Sequence, residues 1–386
     1  MTSHFFKLIW KKRRKNSLLI IEIFISFMVL FAIFSSLIYN YSNYFQGLGY
    51  DYKDAWIINF DWPNTESEIA YEKLKTVRQH VLSHREVISG SFCKGTYPFS
   101  FTSMTWKEND VELEYVGCDT SYFSVLKISF VEGRSFCADD RMLKKKPVVL
   151  SRKAAEQFFG NQLAAGRIFG DDSDLVVTGV VDKYRYRSSY MANEPTIFTF
   201  SDVSDSSVSH LNNFLIRVRS GTGRAFEAGL MREIQQIVPG WDIEIQWLDD
   251  LRKTKDNMAM GFIWILIIVA VFLILNVILG LFGLLWYNIN LRKPEIGLRR
   301  ALGSSKKGIT GHFIKETLVL TTFAVILGIP FAIQFPAMGV FNIRPGIYLA
   351  AIACSLIFLY GLIFLSSLVP SRQASEVEPA TALYEE

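Results

Sequence analysis

The chain has few of the residues from which active sites are usually built. Its 386 residues include four cysteines and five histidines. Cys93, Cys118 and Cys137 lie in one long stretch of mixed polarity and Cys354 in an apolar run, and no spacing suits zinc. An oxidising compartment would allow one disulfide, whose pairing among Cys93, Cys118 and Cys137 the sequence leaves open. The histidines read as scattered, with no pair at a ligand spacing and His312 at the edge of an apolar run, so no metal site is expected. The phosphate-cradling pattern G-x-x-x-x-G-K-[ST] is absent: residues 303–308 hold a lysine at the wrong glycine spacing and follow no buried strand. Neither G-x-S-x-G nor H-E-x-x-H occurs. The run Asp171-Asp172-Ser173-Asp174 lacks the glycine and distal glutamate of a calcium loop and reads as a polar turn. We expect no catalytic, cofactor-binding or metal residue on this chain, and no nucleic-acid partner.

Apolar residues are abundant: half of the sequence is hydrophobic, and the mean hydropathy is positive. That is too apolar for an ordinary soluble protein and too charged for a bundle of spans alone. Crossing a bilayer takes about 20 apolar residues, and four runs suffice, at 17–39, 261–287, 313–335 and 347–369. No such run falls in 40–260, which must lie outside the bilayer. The fold class expected is therefore a membrane α-helical protein of four transmembrane helices, with a large α+β extracytoplasmic domain inserted between helices 1 and 2. Positive charge orients it. Lysines and arginines crowd 7–15 and 292–315, whereas the connection between the third and fourth runs holds only Arg344. Both termini and 288–312 belong in the cytoplasm and 40–260 in the periplasm of an inner (cytoplasmic) membrane protein. The net charge of +4 then reflects membrane electrostatics. The first apolar core is longer than the 7–15 residues of a signal peptide and no small-residue cleavage site follows, so it reads as an uncleaved anchor.

Along the chain, 1–16 alternates aromatic and basic residues and suits an amphipathic helix on the inner leaflet, or a contact with a cytoplasmic partner. Glu22, inside the first span, is costly in lipid and should face another helix, snorkel to the interface or be protonated. In the outer domain, Ala55–Trp62 reads as a strand. Thr65 and Glu68 form a capping box for a helix to Ser83, with Ile69, Leu74, Val77 and Val81 on its buried face, and a second strand covers Val87–Phe92. The same order returns as strand Asn213–Arg219, helix Ala225–Val238 and strand Ile243–Leu248. Two β-α-β halves, about 50–93 and 211–250, thus bracket a strand-rich insert, 94–210. In the insert, Val111–Cys118 and Leu175–Asp182 read as strands, and Arg152–Phe159 as a helix opened by Ser151 and closed by Gly160. In the second span Asn276 reads as a donor to a neighbouring helix, with Gly280 and Gly283 permitting close approach. Gly328 and Pro330 should kink or end the third.

One stretch combines charge and apolar surface beside the membrane: Glu295-Ile296-Gly297-Leu298-Arg299-Arg300-Ala301-Leu302-Gly303. As a helix it would offer Arg299 and Arg300 next to Ile296, Leu298 and Leu302, and its glycines would admit a second backbone or end the helix. This string resembles the cytoplasmic loop of the MacB/FtsX-like ABC transporter permeases. The run Leu126-x-x-x-Phe130-x-x-Gly133-Arg134-x-Phe136, followed by Val148-Val149-Leu150-Ser151 and Phe158-Phe159-Gly160, is similar to the MacB-type periplasmic core domain. The closing residues Pro370, Arg372, Ala374, Pro379, Ala382 and Leu383 match the family's last motif, from which Ser371 and Gln373 depart.

The resemblance implies a permease without a Walker A motif that works as a mechanical transmitter. With no room for an ATPase before Ser17, ATP and magnesium belong to an ABC ATPase subunit on a separate chain. The coupling segment would be 288–312, with Glu295, Ile296, Gly297, Arg299, Arg300, Ala301, Leu302 and Gly303 as the residues that receive the ATPase. The tail, 370–386, would dock through Pro370, Arg372, Pro379 and Leu383. Other implied partners are a second permease copy, identical or related, the lipid bilayer, and a periplasmic adaptor or effector. Export or extraction of a substrate, or regulation of an envelope partner, would follow. The alternative is a membrane-anchored sensor whose outer domain binds a peptide without ATP coupling.

Overall fold

The computed structural model describes residues 13–61, 67–170, 174–201 and 212–375. The capping residue Thr65, the turn at 171–173, the segment 1–12, Pro379 and Leu383 lie outside them. The chain divides into two compact units, one of residues 43–259 and the other of 1–42 with 260–386.

In the first unit, strands form because β-branched and aromatic residues alternate between two buried surfaces. In β1 (Ala55–Asp61), Ala55 and Ile57 enter one core, and Trp56, Ile58 and Phe60 enter another. The second core is closed by α2 (Ser67–Ser83) and α5 (Arg224–Ile237). The buried face of α2 is Ala70, Leu74, Val77 and Val81, at spacings of four, three and four. Ile69, expected on that face, is exposed because it sits one residue, about 100°, off the stripe.

The two β-α-β halves pair across more than a hundred residues of insert. β1 lies between β11 (Asp242–Trp247) and β10 (Asn213–Val218), and β10 pairs with β2 (Val87–Gly95), all antiparallel. Strand order 11-1-10-2 with both helices on one face is the split β-α-β, or ferredoxin-like, arrangement. The insert extends this sheet through β4 (Val111–Cys118), β9 (Thr196–Phe200), β6 (Lys146–Ser151), β8 (Leu175–Val181) and β5 (Phe130–Gly133), with β3 (Thr105–Glu108) and β7 (Ile168–Phe169) beside β4 and β8. Two short helices, α3 (Tyr122–Val125) and α4 (Arg152–Phe159), complete it. Ser151 Oγ caps α4 by accepting from Ala154 N, and Gly160 closes it.

Two buried arginines tie loops to this frame. Arg185 donates to the carbonyls of Asn43 at 2.7 Å, Gly47 at 2.9 Å and Ser189 at 2.8 Å, and also to Met191. Arg217 donates to Val125 O, Lys53 O and Asp51 O. These carbonyls have no ladder partner, and the fixed guanidinium fork satisfies several at once.

Two of the three candidate cysteines face each other in the sheet. Cys93 stands opposite Cys118 in the β2–β4 ladder. The flanking bonds Asp119 N to Phe92 O and Thr96 N to Tyr115 O place this couple at a non-hydrogen-bonded position. Cα atoms there lie about 4.5 Å apart, inside the range a disulfide spans. Both thiols are free and buried, and burial pushes their ionisation up.

The second unit is built on four helices long and apolar enough to cross a membrane: α1 (Arg13–Tyr44), α6 (Leu248–Leu291), α8 (Lys306–Ala337) and α9 (Pro345–Ser375). Each is longer than its apolar run, since a helix continues wherever its polar ends find partners. Leu248 and Leu251, at the start of α6, are buried in the core of the α/β domain, and Arg252 pairs with Asp256 at 3.3 Å there. The bundle core collects Ile23, Phe27 and Phe31 of α1, Val277 of α6, Leu320 and Ala324 of α8 and Leu359 of α9. A Cβ on Gly328 of α8 would lie 2.5 Å from the Phe27 ring, so this glycine is where α1 reaches α8. On Gly280 it would lie 2.7 Å from Glu22 Oε2, which places that carboxylate against α6. Gly283 faces open space. Asn276 bonds Phe272 O of its own helix at 2.8 Å, not a neighbour, because a short amide reaches the carbonyl four residues back. Pro330 lies inside α8, which runs on to Ala337 without ending. Much of α6 is exposed and apolar, including Phe262, Ile265, Ile268, Phe272 and Leu279, as a lipid-facing helix requires.

Candidate functional site

The segment between the second and third long helices is not a loop. α6 continues to Leu291, α7 (Lys293–Ala301) follows at once, and α8 begins at Lys306. Pro294 near the start of α7 fits a first turn, where its missing N–H costs nothing. Gly303, at φ +94°, ends it: Ser304 N bonds Arg299 O at 2.9 Å, the six-to-one bond of a Schellman cap. Ser305 Oγ opens α8 by accepting from Gly308 N at 3.2 Å.

Two devices fasten this elbow. Leu285 and Ile289 of α6, Ile296 of α7, and Ile309 and Phe313 of α8 form a separate apolar cluster. Arg292, between α6 and α7, makes a bidentate pair with Glu316 of α8, at 3.0 and 3.2 Å and mostly shielded from solvent. Burying Ile296 contributes roughly 2 kcal/mol, so α7 is held to its neighbours by more than chain connectivity. Arg292, Glu295, Ile296, Arg299, His312 and Phe313 line a cavity of about 250 Å³ beside it.

The residues expected to receive a partner divide in two. Ile296 is 4% exposed and Gly297 is buried; both face inward and belong to the fastening. Leu298 and Leu302 are 52% and 78% exposed. Between them Arg299 donates to Glu295 Oε1 at 2.6 Å, an exposed pair one turn apart that solvent and salt weaken. Arg300 lies on the same helix, and Ala301 and Gly303 are exposed at its end. The offered surface is thus Leu298, Arg299 and Leu302, without Ile296. Of the expected tail residues, Pro370 and Arg372 are not in a tail: α9 runs through them to Ser375. Pro370 is buried, Arg372 is exposed, and Thr310 of α8 donates to Ser371 O at 3.3 Å. Pro379 and Leu383 lie outside the described residues.

Sequence reading missed Glu316, Leu285, Ile289, Ile309 and Phe313. Their signal was a stripe at helical spacing running through the elbow, hidden by treating 288–312 as a loop. It also missed His80 and His84. They are four residues apart, a ligand spacing on a helix, so the expectation of no such pair fails. A cavity of about 650 Å³ in the α/β domain, lined by Asp61, Asp242, Glu244 and Lys94 among others, was likewise not foreseen.

A model of the MacB-like periplasmic core domain matches residues 18–230, more than half of the chain, and one of the FtsX-like permease C-terminal region matches residues 267–379. The chain belongs to the MacB/FtsX-like family of ABC transporter permeases. Among its relatives is the macrolide export ATP-binding/permease protein MacB of Chromobacterium violaceum, 24% identical over 73% of this chain and 45% of that protein. MacB of Rhodopseudomonas palustris is also 24% identical, over 82% and 50%. The permease thus spans about half the length of the curated relatives it matches. The periplasmic region of MacB from Actinobacillus actinomycetemcomitans aligns at 15% identity and a TM-score of 0.37, over 54% of this chain and 94% of that one. The extracellular domain of the transporter YknZ aligns at 14% and 0.34, over 49% and 99%. The family and the four long apolar helices make this an inner-membrane protein, and the elbow falls inside the FtsX-like match.

Proposed function

We propose that this permease passes mechanical work from an ABC ATPase on a separate chain to its periplasmic core domain. In this reading the elbow and both termini are cytoplasmic, and ATP and magnesium are bound by the ATPase and not by the permease. It works with a second permease copy. The output is export or extraction of a substrate, or control of an envelope partner.

The observation that carries this reading is the division of labour in α7. Leu298, Arg299 and Leu302 point outward on a helix that Ile296 and the Arg292–Glu316 pair lock to α6 and α8. A push on the exposed face is therefore transferred to two long helices instead of being absorbed by a flexible loop. One of them, α6, has its opposite end built into the core of the α/β domain through Leu248 and Leu251. Arg299 supplies a positive charge for an acidic group on the ATPase, at the cost only of its exposed bond to Glu295.

A photo-crosslinking residue at position 298 or 302, in whole cells, tests the docking face. The expected product is an adduct with an ATP-binding subunit at both positions and none at Ile357, exposed within the apolar run of α9. Adducts with lipid alone at all three positions would contradict the reading.

A further inference from the structure

His80 lies in the last turn of α2, His84 just beyond its end, and Glu233 on α5. Four residues along a helix return to the same face, so both imidazoles project toward α5. Their Nε2 atoms converge on one oxygen: Glu233 Oε2 is 2.8 Å from His80 and 2.9 Å from His84. The two rings stand perpendicular with centroids 5.1 Å apart, and Phe226 packs edge-on to His84 at 5.4 Å. The three ligand atoms all lie within 4.8 Å of one another.

Two features separate this cluster from an ordinary surface hydrogen-bond group. His84 Nε2 is buried, and its contact with Glu233 Oε2, at the ion-pair distance of 2.9 Å, lies outside ordinary hydrogen-bond geometry. A buried ring nitrogen left this way is uncommon in a settled polar network. The spacing is also close to that of a coordination sphere. Bonds of about 2.0–2.1 Å in a tetrahedron set ligand atoms about 3.3 Å apart. The two nitrogens need to draw back from the oxygen by only about 0.4–0.5 Å to admit an ion, a shift within reach of small side-chain rotations.

We propose that His80, His84 and Glu233 form a site for a divalent transition metal, for which zinc fits best. The two imidazoles are borderline donors that suit zinc and disfavour magnesium and calcium, and a single carboxylate beside them completes a donor set that zinc accepts. Water fills the fourth position. The ion pins the end of α2, from the first β-α-β half, to α5, from the second. It joins parts of the domain that the insert separates in sequence. This inference rests on the α/β domain alone and stands whether or not the permease meets an ATPase.

The test uses the full chain in detergent, stripped with EDTA, dialysed and titrated with zinc sulfate. Metal content, thermal midpoint and cobalt(II) visible absorption are read for wild type, His80→Gln and Glu233→Gln. These variants keep side-chain size and leave the packed His84 in place. Wild type should hold one zinc, gain thermal stability from it and give the intense spectrum of tetrahedral cobalt. Each variant should keep the metal-free midpoint and lose affinity by more than about 100-fold, beyond the loss on removing an outer-sphere partner. Zinc held equally by the variants, or no retained zinc in wild type, would overturn the proposal.

Discussion

Asp140 shows how one side chain sets a local stability that pH can remove. Its carboxylate accepts from Arg134 Nη2 at 2.6 Å, Arg134 Nη1 at 2.8 Å and Cys137 N at 2.8 Å. The Arg134 bonds hold its ionisation below the usual carboxylate range. The folded value is therefore below the unfolded one. The stabilisation is complete above the unfolded value near 4 and is lost as pH falls through the folded value. Thermal midpoints measured from about pH 5 down to 3 should fall more steeply for wild type than for Asp140→Asn, with the wild-type advantage shrinking as acid is added. Parallel curves would show that the pair contributes nothing. Arg134 was legible in sequence only as part of a family motif, and its role is to close a turn. Asp140 carried no signal, because its partner is fixed by a turn whose geometry the sequence does not state. His80 and His84 were legible by spacing, whereas Glu233, about 150 residues away, depends on how α5 lies beside α2.

At the scale of elements, close approach between helices is set by small residues, and the glycines rank by what surrounds them. Gly328 should be the least tolerant. A Cβ there meets the ring of Phe27, which is fully buried and has nowhere to go. Gly280 meets only the far end of Glu22, and Gly283 meets nothing. Thermal midpoints in detergent should therefore fall markedly for Gly328→Val, slightly for Gly280→Ala and hardly for Gly283→Ala. Equal effects at positions 328 and 283 would show that α1 does not pack on α8 as described. The helices were legible because apolar runs of this length have few alternatives, and the first strands because residues alternate between two cores. Element ends were less legible: the continuation of α6 to Leu248 depends on burial of Leu248 and Leu251, and the elbow helix on Ile296 finding a pocket. Ile69 and Asn276 were misjudged for the same reason, since a sequence gives periodicity but not which neighbour is present.

For the whole molecule, the four-helix membrane class and the inserted α+β domain could be read from where long apolar runs occur and where they do not. The meeting of the two β-α-β halves was less legible, because β1 pairs with β10 and β11 across more than a hundred intervening residues. Repetition of the same order of elements at both ends was the clue. The segment was legible as a motif, but its folding into a fastened helix was not. Only the fold separates the inward Ile296 from the outward Leu298 and Leu302, and hence the part that fastens from the part that is offered. The measurement closest to the proposed function is co-purification from detergent-solubilised membranes. Tagged wild type is compared with Arg299→Glu/Arg300→Glu and, as a control for lost positive charge at the same membrane edge, with Lys306→Glu/Lys307→Glu. An ABC ATPase subunit should accompany wild type and the control and be missing from the Arg299/Arg300 variant. Its retention by that variant, or its absence from wild type, would contradict coupling through α7.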